Sequence, residues 1–188
     1  MSQSAEVRRL DHPPARDFTV LVRPGGPVRQ RGEPIILDLR SPIGWKYADG
    51  GRKAAGFTGS TGDCVTRAIA IATELPYLQV YDAINHRIKA ARKGSRGARG
   101  SARTGVSRQV YERYLTQELG WRWTPTMAIG SGTTVHLRAS ELPPGRIIAR
   151  CSKHLCAVID GVIYDTDDPS RDGSRCVYGV YQAPEGSR

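Results

Sequence analysis

The sequence predicts an α+β domain, with N-terminal helices packed on a mostly antiparallel sheet. Three observations predict it. Apolar residues recur at helical spacing from Cys64 to Leu119. From Trp121 onward the apolar period becomes two. Near the C-terminal end two apolar segments flank Asp160-Gly161, the preferred two-residue turn of a β-hairpin. There is no internal repeat. A chain of 188 residues suits one domain and can bury a core without staples.

Residues 1–56 read as an N-terminal arm, partly extended or disordered. Phe18–Val22 and Ile35–Leu39 are strand-like, and Pro13-Pro14, Pro24-Gly25-Gly26-Pro27 and Asp49-Gly50-Gly51 are turn chemistry. Residues 57–188 form the domain. Its first helix starts at Cys64, because Val65, Ala68, Ile69 and Ala72 share one face and Ser60-Thr61-Gly62-Asp63 supplies cap and turn residues. A second helix follows Pro76, which suits a first turn, with Tyr77, Val80, Tyr81, Ile84 and Ile88 as its buried stripe. Residues 87–108 carry Arg87, Lys89, Arg92, Lys93, Arg96, Arg99, Arg103 and Arg108 among Gly, Ser and Ala without an acid. That composition predicts a mobile basic loop. A third helix begins near Val106, with Val110, Tyr111, Tyr114, Leu115 and Leu119 on its stripe and Gly120 as its C-terminal cap. Strands are expected at 121–123, 146–150, 154–159, 162–166 and 175–181.

The net charge is +10, which favours an anionic partner such as nucleic acid. The N-terminal stretch Met1–Leu10 has no apolar core of the secretory kind, and no apolar run is long enough to span a bilayer. The expectation is therefore a cytoplasmic protein with no membrane contact. In a reducing compartment Cys64, Cys151, Cys156 and Cys176 are free thiols, each to be explained as core, ligand or nucleophile.

Cys64 stands at a helix start after a glycine-containing turn. There the helix dipole and free N–H groups stabilise a thiolate and can bind an oxyanion. Gly62 and Asp63 are the expected backbone contributors. His154 opens the first strand of the Asp160-Gly161 hairpin. With a two-residue turn it lies opposite Asp167, and Asp165 lies two residues away on the same face. A histidine beside a carboxylate on a rigid sheet is what orients a general base. Cys64, His154 and Asp165 are thus the candidate catalytic residues, with Asp167 as the alternative acid.

The order cysteine on an early helix, histidine on a late strand and acid on the next strand resembles the papain-like cysteine peptidase clan. Gly62-Asp63-Cys64-Val65-Thr66-Arg67-Ala68-Ile69-Ala70 resembles the nucleophile segment of ovarian-tumour (OTU) type cysteine proteases, and His154-Leu155-Cys156-Ala157-Val158 resembles the histidine strand of that clan. Asp165 sits where its bacteriocin-processing branch places the orienting acid. The resemblance implies a papain-like fold and a thiol hydrolase (peptidase, isopeptidase or amidase) that works on a protein or peptide through a thioester, without a cofactor. Thr58 stands roughly where papain has its oxyanion glutamine, so the resemblance assigns the oxyanion hole to backbone N–H groups of the 60–64 turn. The whole chain also resembles a small family of phage and mobile-element proteins, from which no activity carries over.

Rival readings are weaker. Cys151, His154, Cys156 and Cys176 do not have zinc-site spacing, and zinc would consume the proposed base, so no metal is expected. His136 lacks an evident orienting acid and reads as a satisfied surface or core histidine. The basic stretch gives a second function class: a nucleic-acid-binding accessory protein of a phage or mobile element on an inactive papain-like fold. Arg92, Lys93, Arg96 and Arg99 would then contact phosphates.

Overall fold

The computed structural model describes residues 43–59, 62–94, 100–128, 130–184 and 186, with the side chains of 92–94 outside that set. The strand-like pieces expected at 18–22 and 35–39 lie outside the described residues, as do Ser60 and Thr61 of the nucleophile turn. The class is α+β. Helices α1 (Cys64–Thr73), α2 (Tyr77–Gly94) and α3 (Arg108–Arg113), the last continued by a π-helical turn Tyr114–Glu118, precede five of six strands. Strand β1 (Gly44–Tyr47) comes before the helices. Strands β2 (Arg122–Pro125), β3 (Arg146–Cys151), β4 (His154–Ile159), β5 (Val162–Asp165) and β6 (Val177–Gln182) follow them. The sheet order is β1-β5-β4-β3-β6-β2. Only the β1–β5 pair is parallel; the others are antiparallel.

The helices form where apolar spacing requires them. On α1, Val65, Ala68, Ile69 and Ala72 are buried, and on α2 so are Tyr77, Val80, Ile84 and Ile88. All of these but Tyr77 pack with Val110, Tyr111, Tyr114 and Leu115 against Ile148, Leu155, Ala157 and Tyr181 of the sheet. Gly120 takes φ +70, and the Trp121 N–H reaches back to the Leu115 carbonyl at 2.8 Å, which closes the third helix as its C-terminal glycine predicts. The opposite sheet face buries Ile147, Ala149, Val158, Ile163 and Val177 beneath Ile43, Leu137 and Leu142.

The Asp160-Gly161 hairpin has the expected register, with Ile159 opposite Val162 and Ala157 opposite Tyr164. Asp160 and Gly161 both have positive φ, 48° and 74°, as a type I′ turn requires.

Two expectations are corrected. Residues 87–94 are not loop: α2 continues through Gly94. The side chains explain it. Ile88 is buried and Ala91 packs against the core, while Arg87 is paired with Glu118 and lies over the Tyr114 ring at 4.2 Å. Arg, Lys and Ala are good helix formers, so a charge run among alanines extends a helix's solvent face. Residues 101–105 are no free linker either. Ala102 is buried, its N–H bonded to Asn85 Oδ1 at 3.0 Å and its carbonyl to the Thr66 hydroxyl at 2.7 Å. In the described part of the arm, β1 pairs with β5 and extends the sheet. Phe57 packs on the rings of Tyr77 and Tyr81. The boundary drawn at residue 56 therefore falls inside the folded unit.

Candidate active site

Cys64 is the first residue of α1, and Asp63 holds the N-cap position. The Asp63 side chain makes no capping bond. It is fully buried and takes the Tyr77 hydroxyl at 2.6 Å, the Arg52 guanidinium at 3.0 Å and the Arg67 guanidinium. Its carboxylate anchors the turn from inside, a part that the backbone role expected of it did not include. The first N–H groups of a helix have no intrahelical acceptor, so the α1 start presents donors beside the sulfur. Gly62 is exposed, and a Cβ there would stand 3.2 Å from the Thr104 carbonyl oxygen, so the turn lies close against the 101–105 segment. Thr58 is exposed, and its carbonyl accepts from Arg52.

The fold brings Cys64, His154 and Asp165 together. His154 opens β4, and Asp165 closes β5 on the neighbouring strand. His154 Nε2 lies 2.7 Å from Asp165 Oδ2. A carboxylate accepts only, so Nε2 carries the proton and Nδ1 is left for Cys64. The Cys64 thiol is the ring's other neighbour, and the Leu155 backbone N–H faces the same sulfur. Asp165 is buried, 3% exposed, and also accepts from the Thr166 N–H at 2.7 Å and from Arg67 Nη2 at 3.1 Å.

Asp167, the alternative acid, is not opposite His154. The β4–β5 ladder stops short of it: Asp165 gives its carbonyl to the Ala48 N–H at 3.0 Å and its carboxylate to the Thr166 N–H. The chain then turns away. Asp167 lines the cleft and accepts the Thr166 hydroxyl at 3.1 Å.

The electrostatics follow from these contacts. Burial pushes the Cys64 thiol up, but the bonds from His154 and Leu155, with the charges of His154 and Arg67, outweigh it and leave the thiol below its ordinary value. Burial pulls His154 down, and the Asp165 and Cys64 contacts override it, raising His154 to about 9. Burial raises the Asp165 carboxyl, yet the His154 contact, the Thr166 N–H and Arg67 bring it below the usual carboxylate range. These shifts favour a thiolate–imidazolium pair held by an ionised aspartate.

The group opens on a cleft of about 690 Å³ whose walls include Gly62, Thr104, Tyr111, Arg150, Lys153 and Tyr178. Sequence reading missed Arg67 as a site residue. It is 8% exposed and bridges Asp63 to Asp165. Its signal was an arginine at i+3 from Cys64, followed by an apolar run that leaves little room for a solvated charge. Arg52, Tyr77 and Arg150 carried no such signal, because only the folded chain brings them near.

The remaining cysteines are free, and Cys151 and Cys156 are buried. Cys156 is fully buried on the sheet, with its thiol beside that of Cys151, which has Arg175 near it. His136 does have an acid, contrary to the expectation: Glu141 Oε2 lies 3.2 Å from its Nδ1 and takes its backbone N–H at 2.6 Å. That pair holds the 136–141 turn. Among the described residues no group of three or more His, Cys, Asp or Glu side chains is placed to hold a metal ion. No described helix is long and apolar enough to cross a membrane. Of the proposed phosphate contacts, Arg96 and Arg99 lie outside the described residues, and Arg92 and Lys93 stand on the last turns of α2. Comparison with protein-family models, with curated proteins and with solved structures finds no match for this chain.

Proposed function

We propose that this chain is a papain-like thiol hydrolase that cleaves an amide bond in a protein or peptide through a thioester on Cys64. The observation that carries the reading is that the fold gathers Asp165, His154 and Cys64, with the acid bonded to the ring and the sulfur at a helix N-terminus beside an open cleft. Nucleophile, base and orienting acid are the three parts that such chemistry needs.

The thiolate attacks the carbonyl carbon, and a C–S bond forms. The oxyanion is met by backbone N–H groups at the start of α1. The imidazolium passes its proton to the departing amine as the C–N bond breaks. His154, now neutral, takes a proton from water as water attacks the thioester. The C–S bond breaks, the acid product leaves, and the thiolate–imidazolium pair is restored. Asp165 holds the ring through Nε2 and stabilises its charged form without itself changing protonation. The cycle needs no cofactor. A reducing cytoplasm would keep all four thiols free, as they stand here.

A second reading is a nucleic-acid-binding protein on an inactive version of this fold, favoured by the net charge of +10. Thiol chemistry separates the two. Iodoacetamide labelling followed by peptide mapping is expected to modify Cys64 first, and to do so at about pH 6, where ordinary thiols are protonated. A Cys64 that reacts at that pH no faster than N-acetylcysteine amide would refute the hydrolase.

A further inference from the structure

We infer that the cleft beside Cys64 selects substrates bearing a carboxylate near the scissile bond, and that Arg150 with Lys153 receives it. The inference rests on the thiol-hydrolase reading and specifies its substrate class. Arg150 stands directly opposite Leu155 across the β3–β4 ladder. Leu155 lines the same cleft as Cys64. Residues opposed in an antiparallel pair have side chains on the same face and Cα atoms roughly 5 Å apart. Arg150 thus lines the same cleft as the nucleophile, on the strand beside the one that carries His154.

The cations of this cleft are not equivalent. Arg67 is consumed by Asp63 and Asp165. Arg108 is consumed by Glu112, with bonds of 3.0 and 3.2 Å. Arg150 and Lys153 have no acid partner among the described residues, and their charges remain available.

The Arg150 guanidinium is also held in place. It lies over the Trp123 ring at 5.5 Å and near the Tyr178 ring at 5.7 Å. Tyr178 reaches this position through a bulge. Arg150 pairs with Gly179 but Cys151 pairs with Val177, which leaves Tyr178 as the extra residue. Bulges beside active sites re-aim side chains in this way. A planar guanidinium packed on aromatic rings keeps its N–H edge for a carboxylate while losing little freedom on binding. Asp167 in the same cleft opposes a long polyanion, so one carboxylate suits the site better than a nucleic-acid backbone.

The test compares alkylation of Cys64 by iodoacetate and iodoacetamide in the full chain, read by peptide mapping. Both reagents join sulfur to the methylene carbon and expel iodide; they differ only in carboxylate against amide. In the wild type the iodoacetate-to-iodoacetamide rate ratio is expected to exceed that of N-acetylcysteine amide. Arg150→Gln lowers it on the order of fivefold, Lys153→Gln lowers it less, and Lys46→Gln, outside the residues that line the cleft, leaves it unchanged. Wild-type ratios in both the Arg150 and Lys153 variants overturn the inference while the hydrolase reading stands. If iodoacetamide itself labels Cys64 no faster than the reference thiol, the hydrolase reading falls and this inference with it. Protection of Cys64 from iodoacetamide identifies the source of the carboxylate. Protection by N-acetylglutamate amide supports a side-chain carboxylate, and protection by N-acetylglutamine supports a terminal one. Protection by neither overturns the inference.

Discussion

Arg67 does the least visible work at the site. It joins two buried carboxylates, Asp63 under the nucleophile turn and Asp165 behind His154. Removing it leaves both without their shared cation in a buried setting. Arg67→Gln is expected to cost about 3 kcal/mol, read as a lowered denaturation midpoint. An unchanged midpoint would show that water replaces the guanidinium. Asp165 acts on the proton instead. Its contact raises His154 to about 9, and the charged ring in turn lowers the Cys64 thiol. The sign is therefore fixed: without the carboxylate His154 loses its proton at lower pH, and the thiolate loses its counter-charge. Asp165→Asn should move the pH profile of Cys64 alkylation to higher pH and slow turnover by about 10²-fold, less than the loss in Cys64→Ala. Asp167→Asn should leave the profile in place. A shift with Asp167 and none with Asp165 would reverse the assignment.

Strands β3, β4 and β6 meet where the chemistry is. The tight β3–β4 turn delivers His154 at a strand start, and the bulge opposite Arg150 delivers Tyr178. The bulge has a packing requirement. Trp123 from β2 lies over Gly179, so closely that a Cβ there would collide with the indole ring. Gly179→Ala should therefore displace Trp123, destabilise the domain by about 2 kcal/mol, and change tryptophan fluorescence. Since Trp123 also supports Arg150, this variant should lower the iodoacetate preference of Cys64 as well. A stable variant with native fluorescence would mean that the ring can shift at no cost.

The net charge of +10 is distributed over different tasks. Arg52 and Arg67 are internal ties, and Arg87 is bound to Glu118. In sequence the positive charge runs from Lys89 through Arg99. Recruitment of nucleic acid through that region predicts retention on duplex DNA that weakens with salt, with about 0.9 added to the log–log slope per neutralised phosphate. Replacing Arg92, Lys93, Arg96 and Arg99 by serine should flatten the slope and leave Cys64 labelling unaltered. Salt-independent retention would leave the charge as a solvated helix face. Lost labelling would make the region part of the active site.

Much of this was legible in the sequence. Helical spacing drew α1 and α2, Gly120 marked a helix end, and Asp160-Gly161 set a register that places Asp165 near His154. These signals are local: each depends on residues within a few positions of one another, so the chain carries them whether or not it is folded. The charge run after Arg87 misled because composition measures charge density, whereas helix formation there depended on Ile88 and Ala91 finding a core and Arg87 finding Glu118. The strand at Gly44–Tyr47 depended on a free edge of β5 that no local pattern announces. Asp167 dropped out because the β4–β5 ladder ends before it, where Asp165 gives its carbonyl to Ala48 just past β1. Arg67 as a bridge, and Arg150 as a cleft cation without an acid partner among the described residues, likewise follow from long-range pairing. Which partner a buried charge finds is settled by the packing of elements far apart in the chain, and that packing has no period for a sequence to display.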